Sequence, residues 1–187
     1  MNRLVFLFCI PLLQLAASAQ TKIGGIVMPN VTPAGDAYLK LNGGGIREKF
    51  FIDLYVCVLY LNEKSSDGTK ILADDEAMAI KIRVISGMVD NENFEEALRE
   101  GFEKSTDGNT APVKDRIERI IKEGFKDDIK TGDIYDLVYL PAKGCTLFRN
   151  NKSVVTIEGL DFKKALFGIW LSDDPVDPDL KTKMLGR

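Results

Sequence analysis

Histidine is missing from the sequence altogether. That absence removes the commonest general base, the commonest zinc and copper ligand and the usual switch near neutral pH, so any catalysis would fall to Lys, Arg, Tyr, Asp, Glu or Cys. Cysteine is scarce as well, with 3 in 187 residues, and without histidine these cannot furnish a zinc site. The acidic run Asp173-Asp174-x-x-Asp177-x-Asp179 lacks the glycine and terminal glutamate of an EF-hand loop, so calcium is not signalled. No metal and no cofactor are expected. There is no basic excess either: 25 Lys and Arg stand against 28 Asp and Glu, for a net charge of −3. A nucleic-acid footprint needs a basic stripe to displace counterions, and none is present. No apolar run reaches the roughly 20 residues that span a bilayer, so no transmembrane segment is expected.

What is present begins with a processing signal. Asn2-Arg3 gives a positive start, Leu4 to Leu15 is apolar apart from Pro11 and Gln14, and Ala17-Ser18-Ala19 supplies small residues at a cleavage site. This pattern predicts a secretory signal peptide over residues 1–19 and a mature chain from Gln20, periplasmic or secreted. Cys9 leaves with the peptide. Cys57 and Cys145 remain, and in an exported chain a bridge between them and a pair of buried thiols are both open. With 45% hydrophobic and 28% charged residues, residues 20–187 read as one soluble globular domain.

From Ile23 to Leu61, β-branched and aromatic residues are punctuated by Gly24-Gly25, Pro29-Asn30, Pro33 to Gly35 and Asn42 to Gly45, which predicts strands joined by turns. The run Lys49 to Leu61 is apolar on both parities except at Asp53, as in a strand covered on both faces. Met78 to Met88 alternates, with Lys81 and Arg83 expected on a solvated face. Phe94, Ala97, Leu98 and Phe102 then fall at helical spacing, and Asn93 with Glu96 has the spacing of a capping box, predicting a helix of about twelve residues. A second helix opens at Pro112 and lines up Val113, Ile117, Ile120, Ile121 and Phe125. Strands return over Asp133 to Leu140 and Thr146 to Glu158, the latter folded about Asn150-Asn151. Two helices close the chain, capped by Asp161 and Asp177, the second ending at Gly186. This order indicates an α+β fold with a largely antiparallel sheet.

The glycine clusters have neither the spacing nor the following helix of a phosphate loop and are read as turn glycines. The polar residues that stand out are Arg47, Lys49, Asp53, Tyr55 and Tyr60 around an apolar strand, with Tyr38, Tyr135 and Tyr139 on neighbouring segments. A charge beside so apolar a strand must find a partner or water, because a buried unpaired charge is costly. The partner can be internal, such as Asp53 or a carbonyl, or an anionic ligand.

The strings LNGGGIREKFFIDLYVCVLYL (Leu41 to Leu61), Gly132-Asp133, LPAKGCTL (Leu140 to Leu147) and ALFGIWLSDDPVDPDLKTKMLG (Ala165 to Gly186) together resemble the bacterial chalcone-isomerase-like family, from about Gly25 to Gly186. The resemblance implies a chalcone isomerase fold: a long antiparallel sheet with a layer of helices on one face and a ligand cleft between them. Plant enzymes of that fold cyclise chalcones to flavanones with an arginine, two threonines, a tyrosine and an asparagine. Arg47 matches the arginine; Tyr55, Phe94, Gly101 and Ile169 stand where the first threonine, the tyrosine, the asparagine and the second threonine would be. Losing one oxyanion donor costs about 10²- to 10³-fold in turnover, so flavanone formation is not expected, and no catalytic residue is assigned. The same fold serves fatty-acid-binding proteins in which an arginine and a tyrosine hold the carboxylate, a pair that Arg47 and Tyr55 resemble. In one straight strand these two would stand about 26 Å apart, so they converge only if the chain turns between them.

The leading expectation is an exported, non-catalytic binder of a fatty acid or similar amphipathic anion, with Arg47 and Tyr55 as ligand residues. The alternatives are an isomerase acting on another substrate, using Arg47 with Lys49, Asp53 or Tyr55, and a structural or partner-binding domain without a small ligand.

Overall fold

The computed structural model describes residues 20–187; the expected signal peptide lies outside the described residues. The chain opens with a hairpin of β1 (Gln20–Ile23) and β2 (Ile26–Pro29), turned at Gly24-Gly25. Seven strands then form one curled sheet in strict sequence order, every neighbour antiparallel: β3 (Val31–Ala34), β4 (Ala37–Lys49), β5 (Ile52–Leu61), β6 (Met78–Val84), β7 (Ile134–Leu140), β8 (Gly144–Arg149) and β9 (Lys152–Ile157). The helices are α1 (Gly68–Ala73), α2 (Asn91–Ser105), α3 (Lys114–Gly124), α4 (Leu160–Leu171) and α5 (Pro178–Met184). A 3-10 turn at Ala111–Val113 leads into α3.

Alternation along β5 explains how both faces of the sheet are covered. Tyr55, Cys57, Leu59 and Leu61 point into the main core beneath α2, α3 and α4, while Val56, Val58 and Tyr60 join Met28 and Leu39 in a smaller core on the opposite face. The β1–β2 hairpin covers that second face, and the Tyr60 hydroxyl donates to the Pro29 carbonyl at 2.9 Å. The double-sided apolar pattern is therefore correct for β5 but does not begin at Lys49. The chain reverses at Phe50 and Phe51, both at positive φ (53° and 62°), so that Lys49 ends β4 and Ile52 starts β5.

Gly43 to Gly45 correct the turn reading in the other direction, since they lie inside β4. Gly43 and Gly45 lie where α5 crosses β4, whereas a Cβ on Gly44 would stand 2.7 Å from the Cys57 carbonyl oxygen on β5. A Cβ on Gly43 would stand 2.2 Å from the Lys183 carbonyl oxygen, and one on Gly45 would meet the Lys183 side chain at 2.8 Å. Asn42, at the adjoining register shift, is buried and donates to the Met184 and Ser65 carbonyls at 2.8 and 2.9 Å. These contacts fasten the C-terminal helix to the strand that carries Arg47.

Several local signals take a different form from that expected. Asp90, not Asn93, caps α2 by accepting from the Asn93 N–H at 2.8 Å, so the helix starts earlier and runs 15 residues. Asp161 sits in the first turn of α4 and pairs with Arg116, while Gly159 holds the cap position at φ 109°. Lys81 does not face open solvent; its ammonium pairs with Asp136, and both side chains are mostly buried. Asp177 does cap α5, accepting from the Asp179 and Leu180 N–H groups at 3.0 Å. Asn150 and Asn151 turn the β8–β9 hairpin at φ 51° and 65°. Cys57 and Cys145 are buried free thiols, on strands separated by β6 and β7.

Candidate functional site

The reversal at Phe50-Phe51 decides the geometry of the site. It lays β5 back along β4 so that Arg47 and Tyr55 become directly opposed partners in the ladder. The turn that the straight-strand distance demanded is present, and it closes the gap that sequence separation alone would leave.

Tyr55 points into the helix-covered face, where its hydroxyl accepts a 3.2 Å hydrogen bond from Trp170 Nε1 on α4. Burial pushes the Tyr55 phenol well above its ordinary range, so it stays protonated. Its O–H remains available to donate to an oxygen in the cleft, and it is ill suited to act as a base. Arg47 spends Nη1 on two acceptors: the Asp177 carboxylate at 3.1 Å and the Glu48 carbonyl at 2.7 Å. Among the described residues, its Nη2 and Nε carry no hydrogen bond, which leaves one edge of the guanidinium fork for an anion.

Between the β4–β5 hairpin and helices α2 and α4 lies a cavity of about 280 Å³. Its buried lining includes Tyr55, Val89, Phe94, Leu98, Ile169 and Trp170, whereas Lys49, Phe50, Ile52, Met88, Glu96 and Glu100 ring the exposed mouth. Arg47 stands on this wall too, so a guanidinium and the Tyr55 phenol face an otherwise apolar enclosure inside the charged mouth. Behind Phe94, Leu98 and Trp170 a smaller void of about 10 Å³ touches Tyr135; the Tyr135 hydroxyl is buried without a protein hydrogen-bond partner.

The remaining polar candidates scatter. Lys49 is at the mouth, with its ammonium 5.6 Å from the Phe50 ring centroid. Asp53 is exposed opposite Glu48 and is not Arg47's partner. Tyr60 serves the opposite face, Tyr38 is exposed, and the Tyr139 hydroxyl donates to Asp75 at 2.5 Å. Phe94 and Ile169 line the cavity, and Gly101 lies against Ile169: a Cβ there would approach Ile169 Cγ2 to 2.7 Å. Thus the position matched to an asparagine serves close packing of α2 on α4.

The profile of the chalcone isomerase-like family matches residues 20–186. The chain belongs to the chalcone isomerase-like family. Among solved structures it is similar to a fatty-acid binding protein of Arabidopsis thaliana, with a TM-score of 0.66 over 86% of this chain and 92% of that one. Their sequences are 14% identical, so the likeness is one of fold. A search of curated proteins gives no match. For this family member, the expected sheet, helix layer and intervening cleft are all present.

Sequence reasoning missed two members of the site. Trp170 falls on the apolar face of a C-terminal helix, where its spacing marks it as core and carries no pointer to Tyr55. Asp177 was legible as a helix cap, but its second role against Arg47 requires α5 to be folded onto β4.

Proposed function

We propose that the protein is a non-catalytic binder of a fatty acid or similar amphipathic anion. The carboxylate sits against the free edge of Arg47 and the Tyr55 hydroxyl, and the acyl chain lies along Phe94, Leu98 and Ile169. The observation that carries this reading is the cross-strand pairing of Arg47 with Tyr55 on the wall of an apolar cavity. The fatty-acid binding protein of similar fold supports the ligand class. At about 280 Å³ the cavity lies near the lower bound of the roughly 300–1,000 Å³ usual for small-molecule sites, which favours a ligand of modest bulk.

Isomerisation is the weaker reading. Phe94 and Ile169 place hydrocarbon where a developing oxyanion would need donors. A purely structural role for Arg47 has a specific observation in its favour, its ion pair with the helix-capping Asp177. Trp170 lines the cavity and is the sequence's single tryptophan, so titrating the protein with decanoate while recording tryptophan emission separates these readings. Saturable change supports a ligand site; unchanged emission and no heat of binding would leave the structural role.

The proposal includes export, with cleavage after Ala19. Intact-mass measurement of the protein recovered from its native host should give a chain beginning at Gln20, and a mass retaining residues 1–19 would refute it.

A further inference from the structure

The β4–β5 turn breaks two rules at once. A two-residue hairpin turn with both φ values positive ordinarily carries Asn and Gly, because a side chain in that conformation is strained. The same chain follows the rule at Asn150-Asn151, yet places Phe50 and Phe51 in the same conformation. Packing does not offset the strain, since Phe50 is 83% exposed and Phe51 98% exposed. Met88, 61% exposed, and Ile52 extend the apolar surface around the cavity mouth. Two aromatic rings held out at the tip of a hairpin form a convex wedge, a shape that enters a soft phase more readily than it fills a rigid pocket.

We propose that this tip docks on a lipid bilayer, with Phe50 and Phe51 inserted among the headgroups and the cavity mouth held at the lipid surface. The inference rests on the amphipathic-ligand reading for its purpose, namely transfer of the ligand between membrane and cavity, but not for the docking itself. Charge identifies the kind of surface. Lys49 is accompanied by the exposed acids Glu48 and Asp53 immediately behind the tip, so the tip has no cationic excess to favour anionic lipid. Attraction is therefore apolar and suits a zwitterionic bilayer, with the Lys49 ammonium reaching a headgroup phosphate along its aliphatic stem. Phenylalanine rings carry no polar group, so they gain by leaving water for the boundary between headgroups and acyl chains.

The test uses Phe51→Gly, because Phe51 does not line the cavity and glycine relieves the positive φ. Wild type and variant, carrying the same N-terminus, are sedimented with phosphatidylcholine vesicles at 0.1 and 0.5 M salt. In parallel, both are titrated with decanoate without vesicles. Wild type should sediment with the vesicles nearly independently of salt, and Phe51→Gly should weaken partitioning about tenfold while binding decanoate as wild type does. Equal partitioning of the two proteins, no partitioning by wild type, or strong salt dependence would overturn the proposal. So would a Phe51-dependent dimer in place of vesicle binding. If vesicle binding depends on Phe51 but decanoate does not bind, the docking tip stands and the ligand reading fails.

Discussion

Arg47 and Tyr55 oppose each other across the β4–β5 ladder although they lie eight positions apart in the sequence. Each is also tied to a helix: Arg47 to Asp177 at the start of α5, and Tyr55 to Trp170 on α4. The pair therefore joins the sheet to the helix layer beside the cavity, and the position of α5 sets how much of the arginine remains for a ligand.

That position depends on Gly43. Its missing Cβ makes room for the Lys183 carbonyl, which would otherwise lie 2.2 Å away. Because the obstacle is backbone, it cannot rotate aside. Gly43→Ala should destabilise the fold by about 3 kcal/mol or more, in the upper range for point substitutions. Urea unfolding measures the loss; a change below about 1 kcal/mol would show that α5 is not seated as described.

Lys163 gives a pH dependence with a definite sign. It is fully buried, and its ammonium donates to the carbonyls of Ile71, Leu72 and Asp74 at 2.5, 3.0 and 2.9 Å, closing the end of α1. Burial lowers its pKa from 10.5 to about 8. Above pH 8 the folded protein has released a proton that the unfolded chain still holds, so stability from this group rises with pH. Between pH 8 and 9.5, wild type should gain roughly 1–2 kcal/mol relative to Lys163→Met. Urea unfolding of both proteins across that range checks it, and parallel profiles would contradict it.

Chalcone cyclisation should be at background. Phe94 and Ile169 face the cavity with hydrocarbon, and Gly101 is filled against by Ile169. Stopped-flow absorbance with a hydroxychalcone should show no saturable, protein-dependent loss of the chalcone band.

The succession of strands and helices, the apolar stripes of the later helices and the Asn150-Asn151 hairpin were legible because periodicity and turn chemistry are local. The Phe50-Phe51 turn was not, since two phenylalanines inside an apolar run carry strand propensity and no turn signal. Gly43 to Gly45 misled for the opposite reason: glycine marks both a turn and a close approach of another backbone, and only the folded β5 and α5 tell them apart. The six-residue α1 is too short for periodicity to register. At the site, the family resemblance supplied Arg47 and Tyr55. The Asp177 and Trp170 contacts bridge segments more than a hundred residues apart, where no local pattern reaches.

The central claim is that Arg47 anchors a carboxylate in the cavity, and the most direct measurement is decanoate affinity together with melting temperature for wild type, Arg47→Ala and Arg47→Lys. An anchor supplying a charge-assisted bond worth roughly 1.5–3 kcal/mol predicts binding weakened about 10- to 150-fold in Arg47→Ala. Arg47→Lys should recover only part of it, because an ammonium cannot reproduce the planar fork. Wild type that binds no decanoate, or Arg47→Ala that binds it unchanged while melting at a lower temperature, would contradict the claim and leave Arg47 as the structural partner of Asp177.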